Sequence, residues 1–311
     1  MKAILRTKFA SAKLSYKHAK HEIWRSGIQC VDYFYQSLVF SDPTLKKGVK
    51  MNTYRFPPKD WLDLPNFLSA EEFKNLPPNA NTCIIIEGMT YAGRHTQAQV
   101  MSEELNLPKF AFSEWVTKYP PENDEERQII AECLRNGVYL PDNLRNKVAD
   151  WALHEFYDKR HTDDEYYSRP FIMVGYPRTL EQAKHFQRFL ETRRIYALVA
   201  VIEINSQEAR RRMSESTVKR IGHESDKLPE IQLIRLGEYF LKTHGYLKWL
   251  LLTGKATGFK TCLDRSEYER RKHEFSEVID RGDYVVLSRQ DVTNMIMKFL
   301  GMFHFVQYSG A

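Results

Sequence analysis

The sequence predicts a doubly wound α/β domain, a sheet of buried parallel strands with flanking helices, preceded by a basic N-terminal extension. Three observations predict it. From Cys83 onward, apolar runs of strand length alternate with segments of helical period. The strands lack polar alternation, the pattern of strands covered on both faces. The charge also divides: residues 1–60 hold twelve Lys/Arg against four Asp/Glu, a net +8, while the whole 311-residue chain carries +6, so the remainder sums to about −2.

Residues 1–80 read as an extension. The first twenty, "MKAILRTKFASAKLSYKHAK", contain six Lys/Arg, two serines and no acid, and Ile4, Leu5, Phe9, Ala12 and Tyr16 fall on one helical face. Basic, acid-free and amphipathic is the pattern of a mitochondrial import signal or a retained import arm. A basic arm that touches nucleic acid, lipid headgroups or an acidic partner is the other reading. Trp24, Val31, Phe34, Tyr35, Leu38 and Val39 form a short apolar stripe. The proline-punctuated "RFPPKDWLDLPNFLSAEEFKNLPPNAN" then reads as a strap with one short helix, capped by Ser69 and carrying Phe73 on its face.

The domain proper is expected over residues 81–311. "TCIIIEG" is a buried strand and "TQAQVMSEEL" a helix; "LPKFAF" is a short strand or loop, and residues 123–157 are helical in period. "PFIMVGYP" is a strand, "LEQAKHFQRFLETRR" a helix, "YALVAVIEI" a strand, "SQEARRRMSES" the start of a helix and "PEIQLIRLGEYFLKTHGYLKWLLL" a long helix. A charged helix is expected around residues 264–283. "DYVVLS" is the last strand, and "DVTNMIMKFLGMF" closes the chain as a helix with Val292, Met295, Ile296, Phe299 and Phe303 on one face.

No run of eighteen apolar residues exists, so no transmembrane helix is expected. Cys30, Cys83, Cys133 and Cys262 are scattered, without CxxC or zinc spacing, and are expected to be buried thiols in a reducing compartment.

Chemistry concentrates in "CIIIEGMTYAGRHTQAQ", residues 83–99. A strand, a glycine, four residues, a second glycine, a basic residue and, after His95, a threonine have the outline of a phosphate-binding loop, whose amides and helix N-terminus cradle phosphate. "GVYLPD" (Gly137–Asp142), "VGYPRTLEQA" (Val174–Ala183) and "PEIQLIRLGEYFLKT" (Pro229–Thr243) follow in order. With the loop, over about residues 82–245, these resemble the adenylate kinase family of nucleoside monophosphate kinases. The resemblance implies a P-loop NTPase-like sheet and a residual nucleotide site for ATP, ADP, AMP or a related nucleotide. Gly88, Gly93 and Thr96 match the loop, with Arg94 and His95 inside it. Arg178 matches the arginine that grips the AMP phosphate, and Gln182 the glutamine that reads its adenine. Arg212 falls on the arginine that lies against the ATP adenine, and Asp226 and Arg235 on an acid and an arginine that close over the phosphates.

The departures sit at the reaction centre. Arg94 replaces the phosphate lysine, and a planar fork is not interchangeable with an ammonium. Tyr91 and His95 stand where the family has glycines. Val174 stands where an aspartate orients Mg²⁺, so the metal is not expected to be well held, and Glu87 is expected to face elsewhere. Thr117 falls where the first AMP-phosphate arginine belongs, Ser216 and Glu224 where two lid arginines belong, and the lid is reduced to a few residues before Pro229. Losing one such preorganised group costs roughly 10²–10³ in rate. Several together, though not additive, lead to an expected loss on the order of 10⁴ or more.

The expectation is therefore a kinase-fold protein without a catalytic set, serving as an accessory subunit of a large mitochondrial assembly at the matrix or the matrix face of the inner membrane. A respiratory-chain complex of the complex I type is the preferred host, ahead of a mitochondrial ribosome or ATP synthase. Partner subunits are expected to contact residues 1–80 and the C-terminal region. The competing readings are an active nucleoside monophosphate kinase and an RNA-binding protein using the basic arm.

Overall fold

The computed structural model describes residues 63–77, 80–158, 170–215 and 228–301. The chain divides into two compact units, Met1–Asp63 and Leu64–Ala311, and the described residues from Leu64 onward belong to the second. The import arm, its apolar stripe, the lid positions Ser216, Glu224 and Asp226, and Phe303 lie outside the described residues.

The elements run β1 (Phe67–Leu68), α1 (Ala70–Lys74), β2 (Asn81–Gly88), α2 (Arg94–Glu104), β3 (Lys109–Ala111), α3 (Phe112–Val116), α4 (Asp124–Asn136) and α5 (Asp142–Leu153). They continue β4 (Phe171–Val174), α6 (Leu180–Arg193), β5 (Ile195–Glu203), α7 (Ser206–Glu215), α8 (Pro229–Glu238) and α9 (His244–Leu252), the last two joined through a wide helical turn at Tyr239–Thr243. The C-terminal part is β6 (Ala256–Lys260), β7 (Cys262–Asp264), α10 (Arg265–Arg271), β8 (Val278–Asp280), β9 (Tyr284–Leu287) and α11 (Arg289–Leu300).

The main sheet is parallel throughout, with the strand order β5-β2-β4-β3. The outer edge of β5 is shared: β1 pairs with Ala197 and Leu198, and β6 with Val199–Glu203. Strand β2 lies at the centre, with β3 and β4 on one side and β5 and β6 on the other, so the chain reverses its winding direction there. In open α/β sheets the crevice outside the C-terminal strand ends at such a reversal is where ligands bind. The run "CIII" is fully buried because β2 has a neighbour on each edge and helices over both faces.

Local signals account for most boundaries. Ser69 and Glu72 cap α1 reciprocally, Asn123 and Thr179 accept the N3 amides of α4 and α6, and Gly137 closes α4 in a left-handed conformation.

Four expectations need correction. Residues 64–77 are part of the sheet unit, so that unit begins before residue 81. Asn66 donates to the Ile195 carbonyl at 2.8 Å, Gln187 donates to Asn66 at 2.7 Å, and Lys255 donates to the Phe67 carbonyl at 2.7 Å. A two-residue strand carries no periodicity, so its pairing with β5 and these long-range bonds define it. The charged stretch at 264–283 is a short helix, a helical turn at Lys272–Glu274 and then β8. "DYVVLS" does form a strand, β9, but it pairs antiparallel with β7 and β8 in a separate small sheet. The last parallel strand is instead β6, "ATGFK", whose glycine and exposed edge hide it in the sequence. The thiols also differ from expectation: Cys83 is buried, Cys133 and Cys262 are half-buried, and Cys30 lies outside the described residues.

No helix among the described residues is long and apolar enough to cross a membrane.

Candidate nucleotide site at the end of the central strand

The loop after β2 has the backbone shape its sequence demands. Gly88 has φ +149°, and a Cβ there would overlap the Ile202 carbonyl of β5. The chain turns through Met89, whose carbonyl accepts the Ala92 amide at 3.0 Å, and passes Gly93 at φ +100° before α2 begins at Arg94. Tyr91 holds φ +64°. A side chain there costs roughly 1–2 kcal/mol relative to an ordinary backbone, so the missing glycine identified in the sequence is a real local strain. Left-handed residues interspersed with right-handed ones turn successive amides toward one concavity, the geometry that receives oxyanions.

A cavity of about 460 Å³ opens beside the loop. Such a volume suits a small-molecule ligand. Thr90, Tyr91, Gly93, Arg94, His95 and Thr96 form its floor. Phe112, Val116, Leu134, Val138 and Leu140 give it an apolar wall, and Arg145, Arg178, Arg212 and Arg235 reach it from four different segments. Cationic groups at the loop and an apolar wall are complementary to a phosphorylated organic molecule.

Of the residues singled out in the sequence, the structure brings Gly93, Arg94, His95, Thr96, Arg178, Arg212 and Arg235 together around this cavity. Gly88 sits behind them as the hinge of the loop. Gln182 is placed differently. It is fully buried, its amide nitrogen donates to Asp142 at 2.6 Å, and its amide oxygen accepts the Arg178 backbone N–H at 2.8 Å. Both ends of the side chain are thus engaged within the protein. Thr117 ends α3 and donates its hydroxyl to the Glu114 carbonyl at 2.8 Å, away from the phosphate loop.

Arg94 is buried and turned back on its own loop, donating from Nη1 to the Gly88 carbonyl at 2.6 Å. Burial, then the nearby Arg178 charge, pushes its pKa down to about 10, while Glu87 opposes the shift. Glu87 does not face elsewhere as expected. Its carboxylate accepts the Gly175 amide at 3.0 Å, and its second oxygen finds no hydrogen-bond partner among the described residues. Arg212 is steered by Glu208, to which it donates at 2.9 Å, and reaches the Tyr91 carbonyl at 3.4 Å. The Glu208 carboxylate is fully buried, and Arg211 and Tyr284 also donate to it. Burial raises its pKa, but the bonds from Arg211 and Arg212 outweigh that and hold it down at about 2.

The sequence reading missed Arg145 on α5. It is buried, donates to the Gly175 carbonyl at 2.6 Å, and its Cζ lies 4.3 Å from the centre of the Phe112 ring. The available signal was its position: Leu144, Arg145, Val148, Ala149 and Ala152 make the buried stripe of α5, and an arginine in such a stripe needs a reason.

The residues present offer a magnesium ion few free protein oxygens. Val174 is apolar, fully buried and paired with Ile86 and Ala111. The carboxylate at the centre, Glu87, is buried and engaged with Gly175, and Glu215 at the rim is tied to Arg211. At nucleotide sites this cation usually keeps several waters and is held by one or two carboxylates together with substrate phosphates, so a carboxylate at this position is what Val174 removes.

No family model matches the chain. Curated relatives do. An adenylate kinase of Mycolicibacterium vanbaalenii is 33% identical over 126 residues, 40% of this chain and 64% of the relative. One from Rickettsia bellii is 26% identical over 200 residues, 63% of this chain and 77% of the relative. One from Caldanaerobacter subterraneus is 27% identical over 121 residues, 39% of this chain and 50% of the relative. With this and similar relatives the chain spans about half of their length. A parallel sheet wound about β2, a glycine-hinged loop at its end and these relatives together make the chain similar to the adenylate kinases, an adenylate kinase-like protein in fold and sequence.

Proposed function

We propose that this chain binds an adenine nucleotide or a related nucleotide in the loop-side cavity, transfers phosphate poorly, and serves as an accessory subunit of a mitochondrial assembly, a respiratory-chain complex of the complex I type in preference to a ribosome or ATP synthase. The observation that carries the binding half is the cavity itself, with arginines from four segments and the first residue of α2 converging beside an amide-lined loop. Cations so gathered repel one another and are balanced when a phosphate chain enters. The impaired half is supported by Val174 at the end of β4 and by Arg94 engaged with the Gly88 carbonyl. Phosphoryl transfer depends on positioned charge and metal, and here the metal position is apolar. The net +8 of residues 1–60 supports docking of the N-terminal arm on an acidic partner surface at the matrix side.

Calorimetry with AMP, ADP and ATP, beside a coupled phosphotransfer assay, tests the two halves together. Binding of at least one nucleotide with turnover reduced on the order of 10⁴ supports the proposal. Ordinary ATP-plus-AMP turnover that Arg94→Ala abolishes establishes the competing reading, an active nucleoside monophosphate kinase, which the number of arginines at the cavity favours. Native mass and co-purifying proteins test the subunit role, and a free monomer of the chain's own mass overturns it.

A further inference from the structure

Arg145 carries a charge on a helix face that otherwise buries apolar residues. Its side chain crosses the buried stripe of α5, where an apolar residue would pack between Leu144 and Val148. One of its nitrogens satisfies the Gly175 carbonyl at 2.6 Å, yet its Nε–H is buried and finds no hydrogen-bond partner among the described residues. The Nε–H groups of Arg94 and Arg178 are buried and unpartnered in the same way. All three side chains line one cavity. Arg145 and Arg178 flank the Tyr139 ring, at 5.5 Å and 5.0 Å from its centre. The buried carboxylate facing them is Glu87, already engaged with the Gly175 amide. Three guanidiniums against one carboxylate leave the group short of negative charge, and like charges in a desolvated site repel.

We propose that Arg145 is a phosphate-binding residue that pairs with Arg178 to clamp the phosphoryl dianion of a nucleoside monophosphate, supplying from α5 the second arginine that the chain lacks at Thr117. This rests on the nucleotide-binding reading above. The Phe112 ring beside Arg145 and the Gly175 carbonyl hold the guanidinium in place at the cavity it lines, so less ordering is needed when a ligand arrives. A planar fork set opposite a second arginine matches the oxygens of a terminal phosphate, which an ammonium at the same place would not.

The test is calorimetry with AMP, adenosine and inorganic phosphate on the full-length protein and on Arg145→Gln and Arg145→Lys. The expected result for Arg145→Gln is AMP affinity reduced about 10- to 100-fold, with adenosine affinity unchanged. Arg145→Lys recovers part of the loss, because it keeps the charge without the fork. Melting temperature separates a binding role from a structural one. Removing a buried charge pressed by another is expected to leave the unliganded melting point equal or higher in Arg145→Gln, while the rise that AMP produces is lost. Should the parent protein bind neither AMP nor phosphate, the nucleotide-binding reading itself fails. Should the parent bind AMP and Arg145→Gln bind it equally well, this assignment fails while that reading stands. A lower unliganded melting point together with an unchanged AMP-induced rise would mark Arg145 as structural.

Discussion

Gly88→Ala and Gly93→Ala separate two reasons for a glycine in one loop. At Gly88 the backbone has φ +149°, and an added Cβ would overlap the Ile202 carbonyl oxygen, with that carbonyl's carbon at 3.2 Å and the Ile202 nitrogen at 3.3 Å. These are backbone atoms of β5 held in register with Gly88 itself, so they cannot swing aside as a side chain would. The methyl therefore adds an overpacking cost of roughly 1–3 kcal/mol to a torsional cost of roughly 1–2 kcal/mol, about 2–5 kcal/mol together. At Gly93, φ is +100° and nothing lies within 4 Å of the added carbon. Only the torsional part remains there, roughly 1–2 kcal/mol. Urea unfolding of the two variants beside the parent measures both. The expected order of stability is parent, then Gly93→Ala, then Gly88→Ala, with unchanged slopes. Equal losses at the two positions, or a Gly88→Ala loss under about 1 kcal/mol, would show that the β2–β5 contact is not what requires the glycine.

Three further outcomes follow from the same geometry. Gln182→Ala leaves the Arg178 amide without its partner and Asp142 with only the Thr179 hydroxyl, so stability should fall by about 1–3 kcal/mol in thermal or urea unfolding with adenosine affinity unaffected; loss of adenosine binding at unchanged stability would return Gln182 to base reading. Glu208 has a folded pKa of about 2 against an ordinary 4.5, so its stabilising effect is present above pH 4.5 and is lost as pH falls toward 2. Glu208→Gln should melt below the parent at neutral pH and converge with it near pH 2, and a gap that persists in acid would assign the effect to packing. Cys133 lines the cavity and Cys83 is sealed in β2, both with pKa raised by burial. Peptide mapping after alkylation at mildly alkaline pH should find Cys133 modified, Cys83 unmodified and Cys133 protected by AMP or ATP; no protection by a nucleotide that binds would place it elsewhere.

Much of the fold is legible because its signals are local. β2, β4 and β5 are uninterrupted apolar strands, and α4, α6 and α11 have side-chain caps at recognisable positions. What escapes is structure defined by partners. β1 exists through Asn66, Gln187 and Lys255, and β6 through the open half of the β5 edge. β9 reads like any other short apolar strand, and no property of Tyr284–Leu287 says that its neighbours run antiparallel.

The site divides along the same line. Spacing alone gathers the loop residues Gly88, Gly93, Arg94 and Thr96, because a strand, a tight turn and a helix N-terminus leave them few alternatives. The positive φ of Tyr91 was likewise readable from the position of a missing glycine. Direction was not readable. Glu87 precedes Gly88 in the strand, yet the alternation of strand side chains does not say that Gly175 will be waiting on its side. Gln182 lies in a motif that suggests a ligand contact, but Asp142, forty positions away, takes its amide. Arg145 was one polar letter in an apolar helical stripe until α5 was laid beside the Gly175 turn. The sequence by itself determined the winding of the sheet and the phosphate loop, since period, caps and glycines act over a few residues. Tertiary structure alone decided which charges face one another, because electrostatics and burial depend on distances between segments that the order of residues does not contain.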